Sequence, residues 1–174
     1  MFGNFQIHDL DEIIDNIWLG DYSASVDVSN LKNKGIKKVL TVMDYLGGPN
    51  YKENEFIHKR FEIDDSCRQN IIQYFGECLK FIKGNEKILV HCMAGASRSA
   101  TIVIAYLMWN NKWKLEQALK ITKEKRPIVG PNEGFLKQLE MFEKLLIEND
   151  YNIEKINFKD IKWEPTEEML KYDF

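Results

Sequence analysis

Residues 88–108 read ILVHCMAGASRSATIVIAYLM, and this stretch decides the fold. It opens on a short apolar run, Ile88–Val90, of the kind that forms a buried strand. It then passes through small residues around Gly95, and from Ser99 to Asn111 it is apolar nearly all round, as a buried helix is. Strand, tight loop and helix in immediate succession make an anion site. The N–H groups of such a loop point inward, and the first helical turn adds its own unpaired donors and dipole. Gly95 permits a backbone angle that other residues avoid. Arg98 is suited to fork onto two phosphate oxygens, each charge-assisted bond contributing roughly 1.5–3 kcal/mol. The same positive potential favours the thiolate of Cys92, the form of cysteine that acts as a nucleophile. A thiolate at the floor of a phosphate cradle is placed to attack phosphorus and give a phosphocysteine intermediate. A merely structural cysteine would need neither Gly95 nor Arg98.

Outward from that stretch, strand-like and helix-like segments alternate. Upstream, IIDNIWLGD (13–21) is a first strand region, and residues 22–34 have helical character closed by Gly35. KKVLTVMD (37–44) is β-rich and precedes the Gly47-Gly48-Pro49 breaker. Ile57, Lys59, Phe61 and Ile63 form one face of a further strand, and Ile71, Phe75, Cys78, Leu79 and Ile82 recur at helical spacing. Downstream, Leu115, Ala118 and Leu119 mark a helix ending before Pro127. Phe135, Leu139, Phe142 and Leu146 mark a longer one opened by Pro131. The order predicts an α/β fold with a central mixed, mostly parallel sheet flanked by helices on both faces. Residues 1–150 are expected to form the domain. Residues 151–174, which mix Tyr151, Phe158 and Trp163 with charged side chains, are expected to be a tail that frays or docks through Trp163.

Composition narrows the function. With 174 residues, 44% of them apolar, the chain has the makings of one globular domain. Its net charge of −3, from 24 basic and 27 acidic side chains, and its lack of a basic arm give no support to nucleic-acid binding. The longest apolar run, around Ala100–Trp109, is too short for a bilayer, so no membrane partner is expected. The start MFGNFQIHDLDE has no signal-peptide pattern, and Cys67, Cys78 and Cys92 form no disulfide framework. A reducing compartment, cytoplasmic with nuclear access, is the expected location. His8, His58 and His91 are scattered, so neither a metal nor another cofactor is called for.

HCMAGASRSAT (91–101), followed by AYLM (105–108), resembles the signature of dual-specificity phosphatases within the cysteine-based protein-tyrosine-phosphatase superfamily. The likeness runs from about Ile13 to Leu146. IIDNIWLGDYSAS (13–25) is similar to the family's opening strand and VGPNEGF (129–135) to its late Pro-Asn segment. The resemblance implies a hydrolase acting on phosphotyrosine and on phosphoserine or phosphothreonine in protein substrates, protein kinases among the candidates. It implies Cys92 as nucleophile, Arg98 as phosphate clamp, and Met93, Ala94, Gly95, Ala96 and Ser97 as the cradle. It further implies that Ser99 helps the sulfur leave in the second step and that His91 supports the loop from below. Ser99, where the tyrosine-only branch usually carries threonine, fits the dual-specificity branch.

The reaction also needs a proton donor for the leaving oxygen. FEIDDSCRQNIIQYF (61–75) offers Asp64 and Asp65 after a strand. The resemblance favours Asp65, because the family's acid stands ten positions before an aromatic and Phe75 fits that spacing. Asn132 is either a support for the cradle or a helix cap. Arg126 is either a contact for a second phosphate or an exposed cation at a helix end. Cys67, two residues past Asp65, is a candidate for a protective disulfide with Cys92. The segment from Asp65 to Cys92 is a few residues shorter than the family pattern, at the KGNEK turn (83–87). Two alternatives stand beside the protein phosphatase: an enzyme of the same fold acting on a non-protein phosphate, and a phosphate-binding scaffold without catalysis. Some relatives act as scaffolds after losing the cysteine or arginine; both residues are present here.

Overall fold

The structure is a computed structural model that describes residues 9–44, 48–171 and 173. The N-terminal stretch through His8, and Gly47 of the breaker, lie outside them. Its five strands are β1 (Leu10–Ile14), β2 (Ile17–Gly20), β3 (Ile36–Val42), β4 (Ile57–Phe61) and β5 (Lys87–His91). They lie in the order β1-β2-β5-β3-β4. Only the β1/β2 pair is antiparallel; β2 with β5, β5 with β3, and β3 with β4 are parallel. The sheet is therefore mixed and mostly parallel, as the alternation of elements predicts. The central strand, β5, is the one that runs into Cys92.

The region 13–21, read from sequence as one strand, is a hairpin. Asn16 takes a left-handed φ of 70° in the turn between β1 and β2, a conformation asparagine tolerates better than most residues. The helix expected over 22–34 is two helices, α1 (Tyr22–Val26) and α2 (Val28–Asn33). Asp27 stops the first and caps the second by accepting the Asn30 N–H. Gly35, with a φ of +76°, closes the pair.

Five further helices follow: α3 (Phe75–Ile82), α4 (Arg98–Asn110), α5 (Leu115–Lys125), α6 (Glu133–Glu148) and α7 (Glu167–Leu170). A short 3₁₀ turn, Ile72–Tyr74, leads into α3. The sheet buries a core on each face. The smaller joins Leu10, Ala24, Leu31, Ile36, Val39 and Leu89. The larger gathers the apolar faces of α3–α6, with α4 buried on every side from Arg98 to Met108. This is why the sequence of α4 shows no polar face: it has no solvent side to present.

In a parallel sheet the crevice beyond the carboxyl ends of the strands is the natural ligand position. Here β5 delivers Cys92 to that end and β4 delivers the Ile63–Asn70 loop. The KGNEK turn lies at the opposite end, before β5. Residues 151–171 are packed on the domain: Ile153, Ile156, Phe158 and Met169 are buried, and the Phe158 ring rests against Gly76, where an added Cβ would meet it at 2.7 Å.

Candidate active site

Between β5 and α4 the loop Cys92–Ser97 is held from outside through its carbonyl oxygens. Cys92 O lies against His91 Nδ1 at 3.2 Å, and Met93 O accepts from the Tyr22 N–H at 3.0 Å. Ala94 O and Gly95 O accept from Arg126, through Nη2 at 3.2 Å and Nε at 2.9 Å. Ala96 O accepts from the Gly130 N–H at 2.8 Å, and Ser97 O from Thr101. In a trans peptide the C=O and the N–H that follows point to opposite sides. Carbonyls fixed outward therefore leave the loop's N–H groups facing the cradle. The Gly95 N–H shows the result, pointing at Cys92 Sγ at 3.3 Å. Gly95 has a φ of +65°, and any Cβ there would strike Gly20 O at 2.5 Å, so both backbone angle and space demand glycine.

Cys92 is buried, and its sulfur also accepts a hydrogen bond from Ser99 Oγ at 3.1 Å. Two donors thus converge on one sulfur. At the mouth of α4, Ser97 occupies the N-cap position but makes no side-chain cap. Its hydroxyl is diverted to Asp65 Oδ1 at 2.7 Å. The first-turn donors of α4 thus stay uncapped by the residue type that usually covers them, leaving the helix end open for an anion.

Arg98 opens α4 and is buried. Nη1 donates to Ile63 O at 3.2 Å, which ties the arginine to the segment leading into Asp65. Its Nε is buried and has no acceptor among the described residues. A buried guanidinium donor without a partner is costly and uncommon in native proteins. On the first turn of the helix that follows the Cys92 loop, it is a donor available to an anionic oxygen.

Asp65 is exposed and, besides the Ser97 hydroxyl, accepts from Asn132 Nδ2 at 3.0 Å. Asp64 enters only through its backbone, whose N–H donates to Gln69 Oε1. Asp65 is therefore the carboxylate joined to the Cys92 loop. Asn132 bridges α6 and the acid loop. Its Oδ1 accepts the Phe135 N–H as the N-cap of α6, while its Nδ2 reaches Asp65.

Arg126 departs from both readings given by sequence. It is neither an exposed cation nor a contact for a second phosphate. It is 5% exposed, and besides the two loop carbonyls it pairs with Asp11 at 2.8 Å. Its Nε, Nη1 and Nη2 all donate to protein acceptors behind the cradle, so it buttresses the loop. Cys67 is likewise turned away from the proposed disulfide. Its thiol is free and buried, donates to Met169 O at 3.5 Å, and is pushed upward in pKa by burial and by neighbouring Asp173.

Behind Cys92, His91 is fully buried, and burial pushes its pKa down to about 4, so the ring is neutral near pH 7. With Nδ1–H donating to Cys92 O, Nε2 must accept. Its partner is then the Thr41 hydroxyl at 2.7 Å, which in turn accepts from His58 Nε2 at 2.8 Å. Sequence singled out none of Thr41, Asp11 or Ser97's link to the acid. A polar Thr41 within the apolar run Val39–Val42 is the one visible sign. Met93 and Ala94 are exposed and leave the rim of the cradle uncharged. Among the described residues no group of three or more His, Cys, Asp or Glu is placed to hold a metal ion.

A cysteine at the carboxyl end of a central parallel strand, a loop whose carbonyls are held outward, and a buried arginine on the following helix have the pattern of an anion site built beside a sulfur. Residues 17–145 match the family model of the dual specificity phosphatase catalytic domain. The chain is 40% identical over 140 residues to tyrosine-protein phosphatase yvh1 of Schizosaccharomyces pombe, covering 78% of this chain and 42% of that protein. It is 43% identical over 145 residues to a probable dual specificity protein phosphatase of Dictyostelium discoideum, covering 76% and 63%. The matched region is thus less than two thirds of either relative's length. Among solved structures, the human tyrosine phosphatase-like serine/threonine/tyrosine-interacting protein superposes with a TM-score of 0.76 at 32% identity, over 79% of this chain and 97% of that one. The chain belongs to the dual-specificity phosphatase family.

Proposed function

We propose that the protein is a protein phosphatase hydrolysing phosphotyrosine and phosphoserine or phosphothreonine through a covalent phosphocysteine on Cys92. The observation that carries this reading is the sulfur itself. It is held by the Gly95 N–H and the Ser99 hydroxyl beside a buried Arg98 whose Nε has no acceptor among the described residues.

In the first step the substrate's phosphoryl oxygens bind the loop amides of residues 93–98 and the Arg98 guanidinium. The Cys92 thiolate attacks phosphorus, the ester P–O bond breaks, and Asp65 gives its proton to the departing oxygen. In the second step the Asp65 carboxylate takes a proton from water as that water attacks phosphorus. The S–P bond breaks, inorganic phosphate forms, and the Ser99 hydroxyl steadies the returning thiolate. Ser97 and Asn132 support Asp65 in register with the cradle. Arg126 and His91 hold the loop from behind. A positioned acid contributes about 10²–10⁴-fold.

Substrates are phosphorylated proteins, with protein kinases among the candidates. The uncharged rim at Met93 and Ala94 supports little electrostatic preference for multiply phosphorylated segments. A reducing compartment, cytoplasmic with nuclear access, suits an enzyme that needs a free thiolate; imaging of the tagged protein tests the location. The activity is tested by phosphate release from phosphotyrosine and phosphothreonine peptides. Wild-type turnover and its loss in Cys92→Ser, with an unchanged circular dichroism spectrum, is the expected result. Residual activity near wild type would remove the assignment.

A further inference from the structure

The acid loop has no regular secondary structure from Ile63 to Asn70, so its backbone groups must find partners elsewhere. On one side α6 provides them. Gln138 accepts the Ile71 and Ile72 N–H groups at 2.8 and 3.1 Å and donates to Gln69 O at 2.9 Å, and Gly134 is pressed so close that a Cβ would meet Cys67 O at 2.6 Å. On the other side stands a segment beyond the family-model match, which ends at residue 145. The Trp163 indole N–H donates to Cys67 O at 2.7 Å. Asp173 accepts from the Cys67 N–H at 3.1 Å and from the Ser66 hydroxyl at 2.8 Å, and pairs with Arg68 at 3.2 Å. Asn70 Nδ2 donates to Ile161 O at 2.7 Å. Both partners of the Cys67 peptide groups, two residues from Asp65, thus come from this segment.

The segment is itself anchored. Phe158 is buried against Gly76 and lies 5.9 Å from the Phe142 ring, and Ile153 and Ile156 are buried before it. A strap fixed to the core at Phe158 and bonded to the acid loop through Ile161, Trp163 and Asp173 restrains where Asp65 stands. The hydrogen bonds that Ser66 gives Asp173 and that the Cys67 N–H adds hold the Asp173 carboxyl below its ordinary range, consistent with an engaged anion.

We propose that residues 161–171 together with Asp173 form a strap that positions the general acid, with Trp163 and Asp173 as positioning residues that act on Asp65 through the Ser66–Cys67 backbone. The proposal rests on the reading of Asp65 as the acid. Misplacing a catalytic group by about an ångström can cost 10²-fold, and the loss falls on substrates that need a proton most. A structural role alone would lower turnover of all substrates alike.

The test uses the full chain carrying Trp163→Phe, which keeps a ring and removes the donor, and Asp173→Ala, singly and together. Asp65→Asn is the reference. kcat/KM is measured for aryl phosphates from strongly acidic to weakly acidic leaving groups, and for a phosphothreonine peptide. The expected result is a fall of about tenfold for phenyl phosphate and the peptide in the double variant, part of the loss a missing acid causes. The nitro-substituted aryl phosphates should change by less than about twofold, giving a leaving-group dependence steepened toward that of Asp65→Asn. A steep dependence in Asp65→Asn with a wild-type dependence in the strap variants would overturn the strap and leave the acid in place. A flat dependence in Asp65→Asn would overturn both. Hydrogen exchange covers the case of a destabilised double variant. The Cys67 amide should exchange faster in Asp173→Ala while β5 amides keep their protection; unchanged Cys67 protection would also overturn the strap.

Discussion

Ser97 donates its hydroxyl to Asp65 Oδ1 at 2.7 Å, so the phosphate cradle and the loop that carries the acid are bonded to each other. The same Ser97 oxygen accepts the Asn132 N–H at 3.1 Å, and Asn132 returns its own side chain to Asp65. Three residues from three loops close a ring around one carboxylate. Replacing Ser97 by alanine opens that ring without touching Cys92. The expected outcome is a kcat/KM about tenfold lower on a phosphopeptide, within the contribution of a positioned acid. Stability should fall by only about 1 kcal/mol, the usual net value of a hydrogen bond. Steady-state kinetics beside urea denaturation measures both; a wild-type kcat/KM would remove the role given to the ring.

Ser99 is the residue whose effect should separate the two chemical steps. Its hydroxyl reaches Cys92 Sγ, the leaving atom of the second step. Ser99→Ala should slow breakdown of phosphocysteine more than its formation. Rapid-mixing experiments with an aryl phosphate should then show a burst of phenol followed by slow turnover, reduced by about 10-fold or more, as for loss of one group that stabilises developing charge. Equal loss in both phases would contradict the assignment.

Arg126 should behave as a buried buttress. Arg126→Ala removes donors from Ala94 O, Gly95 O and Asp11 together. A loss of roughly 2–4 kcal/mol is expected from charged hydrogen bonds left unmade. Asp11, being 36% exposed at its side chain, can rehydrate, which keeps the cost from rising further. The ratio of kcat/KM for singly and doubly phosphorylated peptides should not change, because the guanidinium does not face the substrate. A selective loss on the doubly phosphorylated peptide would restore a substrate-binding role.

His91 gives a pH dependence whose sign is fixed. Its folded pKa, about 4, lies below the ordinary 6.5. The unfolded chain therefore binds the proton first as pH falls, so stability is intact above pH 6.5 and declines between 6.5 and about 4. The shift corresponds to roughly 3 kcal/mol at most. Urea denaturation across this range should show wild type losing stability more steeply than His91→Asn. Parallel curves would mean that the ring is not the neutral acceptor of the Thr41 hydroxyl.

What the sequence made legible follows the range of the interactions. Cys92, Gly95, Arg98 and Ser99 stand within eight consecutive residues, and strand, loop and helix are each written in local pattern. The Asp15–Asn16 turn that splits the first strand region has asparagine as its one local sign. Asp27, which divides α1 from α2, carried the ordinary chemistry of a cap. The burial of Arg126 is not legible locally, because its partner Asp11 lies far away in the chain and no local pattern joins them. The docking of 151–171 is hidden for a similar reason. Ile153, Ile156 and Phe158 show no helical or strand period, and the space that accepts Phe158 exists only once Gly76 of α3 and Phe142 of α6 are brought to the same side of the fold.

The covalent intermediate tests the account most directly. Asp65→Asn protein is mixed with a ³²P-labelled phosphotyrosine peptide, quenched in acid within the first turnover, digested and mapped. The label should sit on the peptide carrying Cys92, be absent from those carrying Cys67 and Cys78, and vanish in Cys92→Ser. Labelled phosphate released at an undiminished rate by Cys92→Ser, with no phosphocysteine trapped in either protein, would contradict it.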